Sequence, residues 1–136
     1  MTHKGSCQCG AIAIEVTGEP ALAAHCHCLD CQKSGGAGHL SFAFYPEAQV
    51  KVTGELTRYA SKTDAGNMMT RSFCPVCGSR ILGESDGVPG MTGVALGVLD
   101  ESDDIAPAMS FYAKRLRKWD HLAEAIPAFD ELPPRK

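Results

Sequence analysis

Apolar residues along this chain recur at every second position or in short β-branched runs, and seldom at helical spacing. The segments that carry the pattern are Ala11–Val16, Leu22–His27, Leu40–Tyr45, Gln49–Val52, Leu56–Ala60, Met68–Phe73, Thr92–Leu99 and Met109–Ala113. Most are bounded by Gly, Pro, Asp or Ser, as strands are. The glycine-rich Gly83–Gly97 reads as a passage through turns. The best helical candidate is a short piece at Trp119–Ala125, stopped by Pro127. No repeat and no low-complexity linker divides the chain. The pattern predicts a mostly β fold: one small domain of short antiparallel strands over residues 1–131, with a flexible, frayed tail at 132–136.

Composition narrows what such a domain does. At 136 residues and 44% hydrophobic, the chain is long enough to bury one core. A net charge of −3 argues against non-specific nucleic-acid binding, which needs a broadly basic surface. The basic run Lys114-Arg115-Leu116-Arg117-Lys118 reads as a solvated face. No window approaches the roughly 20 apolar residues of a membrane span. The start, MTHKGSCQCG, lacks the apolar region of a signal peptide. The expectation is a cytoplasmic chain with reduced thiols and neither membrane nor nucleic-acid partners.

Seven cysteines then stand out. An odd number in a reducing compartment favours metal over disulfides. They fall as Cys7-Gln8-Cys9, Cys26-His27-Cys28 with Cys31, and Cys74-Pro75-Val76-Cys77-Gly78. On an extended strand, residues two apart share a face, so each C-x-C puts two sulfurs together. A C-x-x-C before glycine suits a tight turn whose two thiolates meet one metal. Cys26, Cys28 and Cys31 can fill three corners of a tetrahedron from one short segment. Cys7, Cys9, Cys74 and Cys77 are left to complete a four-thiolate zinc site that closes a long loop. Isolated buried thiols would be a weaker account of such pairing.

The triplet's fourth ligand is either a protein side chain or something exchangeable. His25 and His27 alternate with the thiols and point to the opposite face of a strand. His39 follows Gly35-Gly36-Ala37-Gly38 and can fold back, so a closed, non-catalytic interaction module stays as the alternative. The preferred reading is an open position. Three thiolates on Zn²⁺ sum to −1, which acidifies a bound water far less than three neutral histidines do. Such a soft site suits a small-molecule thiol as its fourth ligand. A zinc deaminase is rejected, because no glutamate lies at the spacing its general acid/base needs. An iron–sulfur protein fits this four-plus-three division less well than zinc.

GSCQCGAIAIEV at Gly5–Val16, CHCLDCQKSGGA at Cys26–Ala37 and FCPVCGSRI at Phe73–Ile81 together resemble the glutathione-dependent formaldehyde-activating enzyme family, which includes the centromere protein V group. Weaker matches at Gly97–Asp104 and Lys118–Glu131 extend the resemblance over most of the chain. It implies a small β fold of tent-like sheets with two zinc ions. Cys7, Cys9, Cys74 and Cys77 would hold the structural zinc, and Cys26, Cys28 and Cys31 the catalytic one. The implied activity is that of a carbon–sulfur lyase on the adduct of glutathione and formaldehyde. The chain departs from the family at Gln32, where arginine is expected, and at Gly38-His39-Leu40; Lys33 matches the usual basic residue. If the family arginine holds a substrate carboxylate, Gln32 removes that contact. Lys33 is either a partner for such a carboxylate or a solvated lysine. Tyr59 and Trp119 are expected in the core or in a pocket. His27 is read as a neighbour that orients the sulfur ligands.

Overall fold

The computed structural model describes residues 1–134; Arg135 and Lys136, the end of the expected tail, lie outside the described residues. The chain forms β1 (Thr2–Ser6), β2 (Ala13–Thr17), β3 (Leu22–Cys26), α1 (Leu29–Gly35), β4 (Leu40–Pro46), β5 (Val50–Thr53), β6 (Thr57–Lys62), β7 (Met68–Phe73), β8 (Arg80–Ser85), β9 (Met91–Ala95) and β10 (Met109–Phe111). The mostly β expectation holds. No helix among the described residues is long and apolar enough to cross a membrane.

Two sheets result. One runs β1-β2-β5, and the other runs β10-β3-β4-β9-β8-β7-β6. Alternation explains the small sheet directly: in β2, Ile14 and Val16 are buried while Ala13 and Thr17 are exposed. β4 and β9 lie centrally in the large sheet and carry denser apolar runs, with Ala43, Tyr45 and Val94 fully buried. Pairing is antiparallel except for β10, which runs parallel to β3 and brings the chain beyond residue 108 against its early part at Ala24–Cys26.

The core has two apolar clusters. One gathers Ile12, Ile14, Val16, Tyr45, Ile81, Val94 and Leu99 around Cys7 and Cys74. The other gathers Ala24, Phe42, Phe111 and Tyr112 around Cys26 and Cys31. Each set of cysteines therefore sits in its own apolar surroundings, where a thiolate without a cation is costly.

Several expectations need correction. Trp119–Ala125 is not a helix: Lys118 and Trp119 form a turn, and Ala125 takes φ 64°, a left-handed value that interrupts helical backbone. The helix lies instead at α1, where periodicity was too short to show. Gly83–Gly97 is not all turn, since Gly83 sits within β8 and Gly93 within β9, paired with each other. Tyr59 and Trp119 are in neither core nor pocket; both are largely exposed.

Candidate metal centres

The first set is built from two tight turns. Cys7-Gln8-Cys9-Gly10 follows β1, and Cys7 bonds Ile12 twice, its N–H donating to the Ile12 carbonyl at 3.0 Å and its Sγ accepting from the Ile12 N–H at 3.2 Å. Cys74-Pro75-Val76-Cys77-Gly78 follows β7, just past a register shift at Ser72–Phe73 that re-aims the chain. There the Gly78 N–H donates to the Cys74 carbonyl at 2.9 Å and the Val76 N–H to the Cys74 Sγ at 3.4 Å. Gly10 and Gly78 both take positive φ, 83° and 79°, a conformation that costs glycine nothing. The Gln8 N–H donates to the Ser79 hydroxyl at 3.1 Å, locking one turn to the other.

The sulfurs meet. Cys7 and Cys9 lie 3.6 Å apart, and Cys9 and Cys74 3.7 Å. A tetrahedron with Zn–S of ~2.3 Å has edges of about 3.8 Å, so these spacings fit a zinc ion. All four sulfurs lie within 4.8 Å of one another. The Cys77 thiol is pulled down to about 5, first by the Ser79 hydroxyl and then by backbone N–H groups, which favours the thiolate a metal needs.

The convergence matches the sequence reading, but its cause differs. Neither C-x-C lies wholly on a strand. Cys7 and Cys9 are in a turn. Cys26 ends β3, whereas Cys28 is the N-cap of α1, its sulfur accepting the Cys31 N–H at 3.3 Å. Cys31 lies in the first turn of that helix, three residues on and so on the same face as Cys28. Gly36 closes the helix at φ 67°, donating its N–H to the Gln32 carbonyl.

Cys26, Cys28 and Cys31 also lie within 4.8 Å of one another, and no fourth Cys, His, Asp or Glu among the described residues joins them. The Cys28 thiol is driven strongly down, first by hydrogen bonding from the Cys26 thiol, then from Cys31, with Arg71 adding attraction. The same neighbours push Cys26 up. The thiols thus oppose one another's ionisation, and a divalent ion is what would let all three ionise.

His39 turns elsewhere. Its Nδ1 bonds the Asp120 Oδ2 at 2.7 Å, and the His27 Nδ1 lies 3.5 Å from that same oxygen. His27 is fully buried, with the His39 ring beside it at 4.8 Å and tilted by 37°. Burial pulls His25 and His27 toward the neutral form. A substitution follows from this geometry. His39→Ala is expected to leave the zinc content per chain unchanged by elemental analysis. Loss of one zinc would instead make His39 the closing ligand.

The other candidates are placed as follows. Gln32 is buried and faces away from the thiols. Its amide donates to the carbonyls of His27 at 2.8 Å and Arg115 at 3.0 Å, and it accepts from the Arg117 Nε at 2.7 Å. It ties α1 to the basic run, which is otherwise exposed as expected. Lys33 is exposed. The cations beside the triplet are Arg71 and Arg80, which sequence reasoning missed. They line a cleft of about 190 Å³ together with Cys26, Cys28 and Cys31. Arg80 is held by the Ser34 hydroxyl at 2.6 Å, and Arg71 donates to Ser61 at 3.2 Å.

This small β protein has one four-sulfur set that runs from buried Cys7 and Cys74 to exposed Cys9, and one three-sulfur set at the wall of a cleft, and both could hold a metal on thiols. The chain belongs to the family described as glutathione-dependent formaldehyde-activating enzyme, whose model matches residues 2–115. It is also similar to a Rhodobacter sphaeroides protein solved as a structural genomics target, with a TM-score of 0.60 and 22% identity over 93% of this chain and 99% of that one. At that identity the likeness speaks for the fold. No curated protein matches the chain.

Proposed function

We propose that the chain is a zinc-dependent carbon–sulfur lyase acting on the adduct of a small thiol with formaldehyde. Family membership supports a glutathione-related, formaldehyde-activating role. The observation that carries the finer reading is the three-sulfur set at the cleft, with no fourth protein donor among the described residues.

Cys7, Cys9, Cys74 and Cys77 would hold a structural zinc, and Cys26, Cys28 and Cys31 a catalytic one. When bound, the second zinc would hold an incoming thiol as its thiolate. Arg71 and Arg80 offset the negative charge that three cysteine thiolates bring to the cleft wall. The apolar walls exclude water from the sulfur, which would otherwise compete through hydration. In the forward direction the substrate sulfur forms a bond to the aldehyde carbon, and the carbonyl electron pair moves to oxygen, which takes a proton. In reverse, the hydroxyl loses its proton, the carbonyl re-forms and the sulfur leaves with the bonding pair. The histidine and Gln32 contacts behind Cys26–Cys28 fix that segment from the side away from the cleft.

Protein prepared with zinc and without chelator is expected to carry two zinc ions per chain. Exchange between labelled formaldehyde and its thiol adduct, followed by nuclear magnetic resonance, should be faster with this protein than with thiol alone. One zinc per chain, or exchange no faster than the uncatalysed rate with every thiol tried, would overturn the reading.

A further inference from the structure

We infer that the cleft beside the triplet takes a thiol whose body is compact and largely apolar with one oxygen acceptor, rather than a multiply charged peptide thiol. This rests on the reading of the triplet as an open, thiol-binding zinc site.

Two glycines let the side chains of the cleft wall lie close against the sheet. Gly83 of β8 and Gly93 of β9 pair across adjacent strands and both line the cleft. A Cβ at Gly83 would come within 2.7 Å of the Met69 methyl and 3.0 Å of an Arg80 terminal nitrogen. One at Gly93 would meet the Gly83 carbonyl at 3.2 Å and the Phe44 ring at 3.3 Å. Side chains at these positions would push Met69, Arg80 and Phe44, which line the cleft, out of place.

The walls of the cleft are largely apolar, with Thr63, Asn67, Ser85 and Tyr112 as their uncharged polar members. Phe42, Phe44 and Phe111 form a continuous aromatic frame, with ring centroids 5.0 Å apart for the first pair and 6.1 Å for Phe42 and Phe111. Leu40 and Met69 extend it. Such a frame favours an aromatic or branched body through area burial and edge-to-face contact.

Charge points the same way. A glutathione-like tripeptide brings two carboxylates and an ammonium, and each charge taken out of water needs a partner. The two cations that line the cleft among the described residues are already engaged. Arg71 faces Cys28 and lies 3.8 Å from Asp30; Arg80 faces Cys31 and bonds Ser34. Among the described residues, the remaining charged side chains on the lining are Asp30 and Asp64, which repel carboxylates. Lys33 is exposed, and Gln32 is turned toward Arg117. One polar demand is left open: the Nε of the buried Arg71 has no hydrogen-bond partner among the described residues. A single carbonyl or carboxylate oxygen on the ligand would meet it.

The test uses zinc-loaded protein and titration calorimetry with three probes. Benzyl mercaptoacetate carries a thiol, a carbonyl and an apolar ring; benzyl acetate lacks only the sulfur; glutathione is the charged peptide thiol. Benzyl mercaptoacetate is expected to bind about tenfold or more tightly than glutathione, and benzyl acetate to compete with it. Gly83→Ala should weaken both benzyl probes about tenfold without changing zinc content. Met69→Gln, at the cleft wall, gives a second reading should the glycine variant fold poorly. Equal or tighter glutathione binding, or no competition by benzyl acetate, would overturn the inference. Zinc-edge spectra separate it from the reading beneath it. Thiols that reach the metal with no preference for an apolar body refute only this inference. Benzyl acetate binding, with no thiol ever reaching the metal, upholds the apolar preference and refutes the thiol site.

Discussion

Cys74→Ser is expected to leave most of the chain unfolded, or to lower its thermal midpoint by roughly 15 °C or more. Cys74 is fully buried in the larger apolar cluster, and its sulfur meets that of Cys9, 65 residues away in sequence. A zinc held by these turns would tie the β1–β2 end of the small sheet to the β7–β8 end of the large one. Structural zinc sites bind with about 10–16 kcal/mol in small zinc-finger peptides, and that energy is folding energy. Whole domains of this size are stable by only about 5–15 kcal/mol. Removing one thiolate from such a site therefore threatens the entire fold. Cys31→Ser should behave differently. Cys31 lies in the first turn of α1 beside a cleft, and its site has only three protein ligands. That variant should stay folded by circular dichroism while binding one zinc fewer. Equal loss of thermal stability in the two variants would refute the division into structural and catalytic sites.

The second large effect concerns what the triplet accepts. In zinc-loaded protein the mean number of sulfurs per zinc should rise from about 3.5 to about 4 when a binding thiol is added. The four-sulfur set is already complete, so only the triplet can change. Substituting cobalt should show the same event as stronger thiolate charge-transfer bands. Cys28→Ala should abolish the response. It should also cut lyase turnover by more than about 100-fold, since even outer-shell partners of a metal contribute 10–100-fold to affinity or activity. Cys28 combines two roles, a donor sulfur and the N-cap of α1, so its loss also frees the Cys31 N–H. No change in sulfur count with any thiol, together with a nitrogen ligand at one metal, would favour the closed interaction module. The bond between His39 and Asp120 argues for the first outcome.

The sequence by itself determined whatever depends on neighbours along the chain. Period-two runs mark most strands, and Met68–Phe73 agrees with β7 residue for residue, because alternation on a half-buried sheet is a local property. The cysteine pairs were legible for a related reason. Sulfurs two or three residues apart are brought together by almost any tight turn, so their convergence survived a wrong guess about the backbone. α1 escaped notice because seven residues are too few for periodicity, and its cap is a cysteine rather than the usual Ser, Thr, Asp or Asn. Tertiary structure alone decided what surrounds the sulfurs. Arg71 and Arg80 lie on β7 and β8, far along the chain from Cys31, and only strand pairing carries them to the cleft. The parallel seat of β10 on β3 brings Asp120 and Arg117 behind the triplet, claiming His39 and Gln32 for the scaffold. The Gly83–Gly93 pair lets Met69, Arg80 and Phe44 pack close over the sheet beside them. None of these contacts has a signature along the chain, because each joins residues through space that the sequence keeps apart.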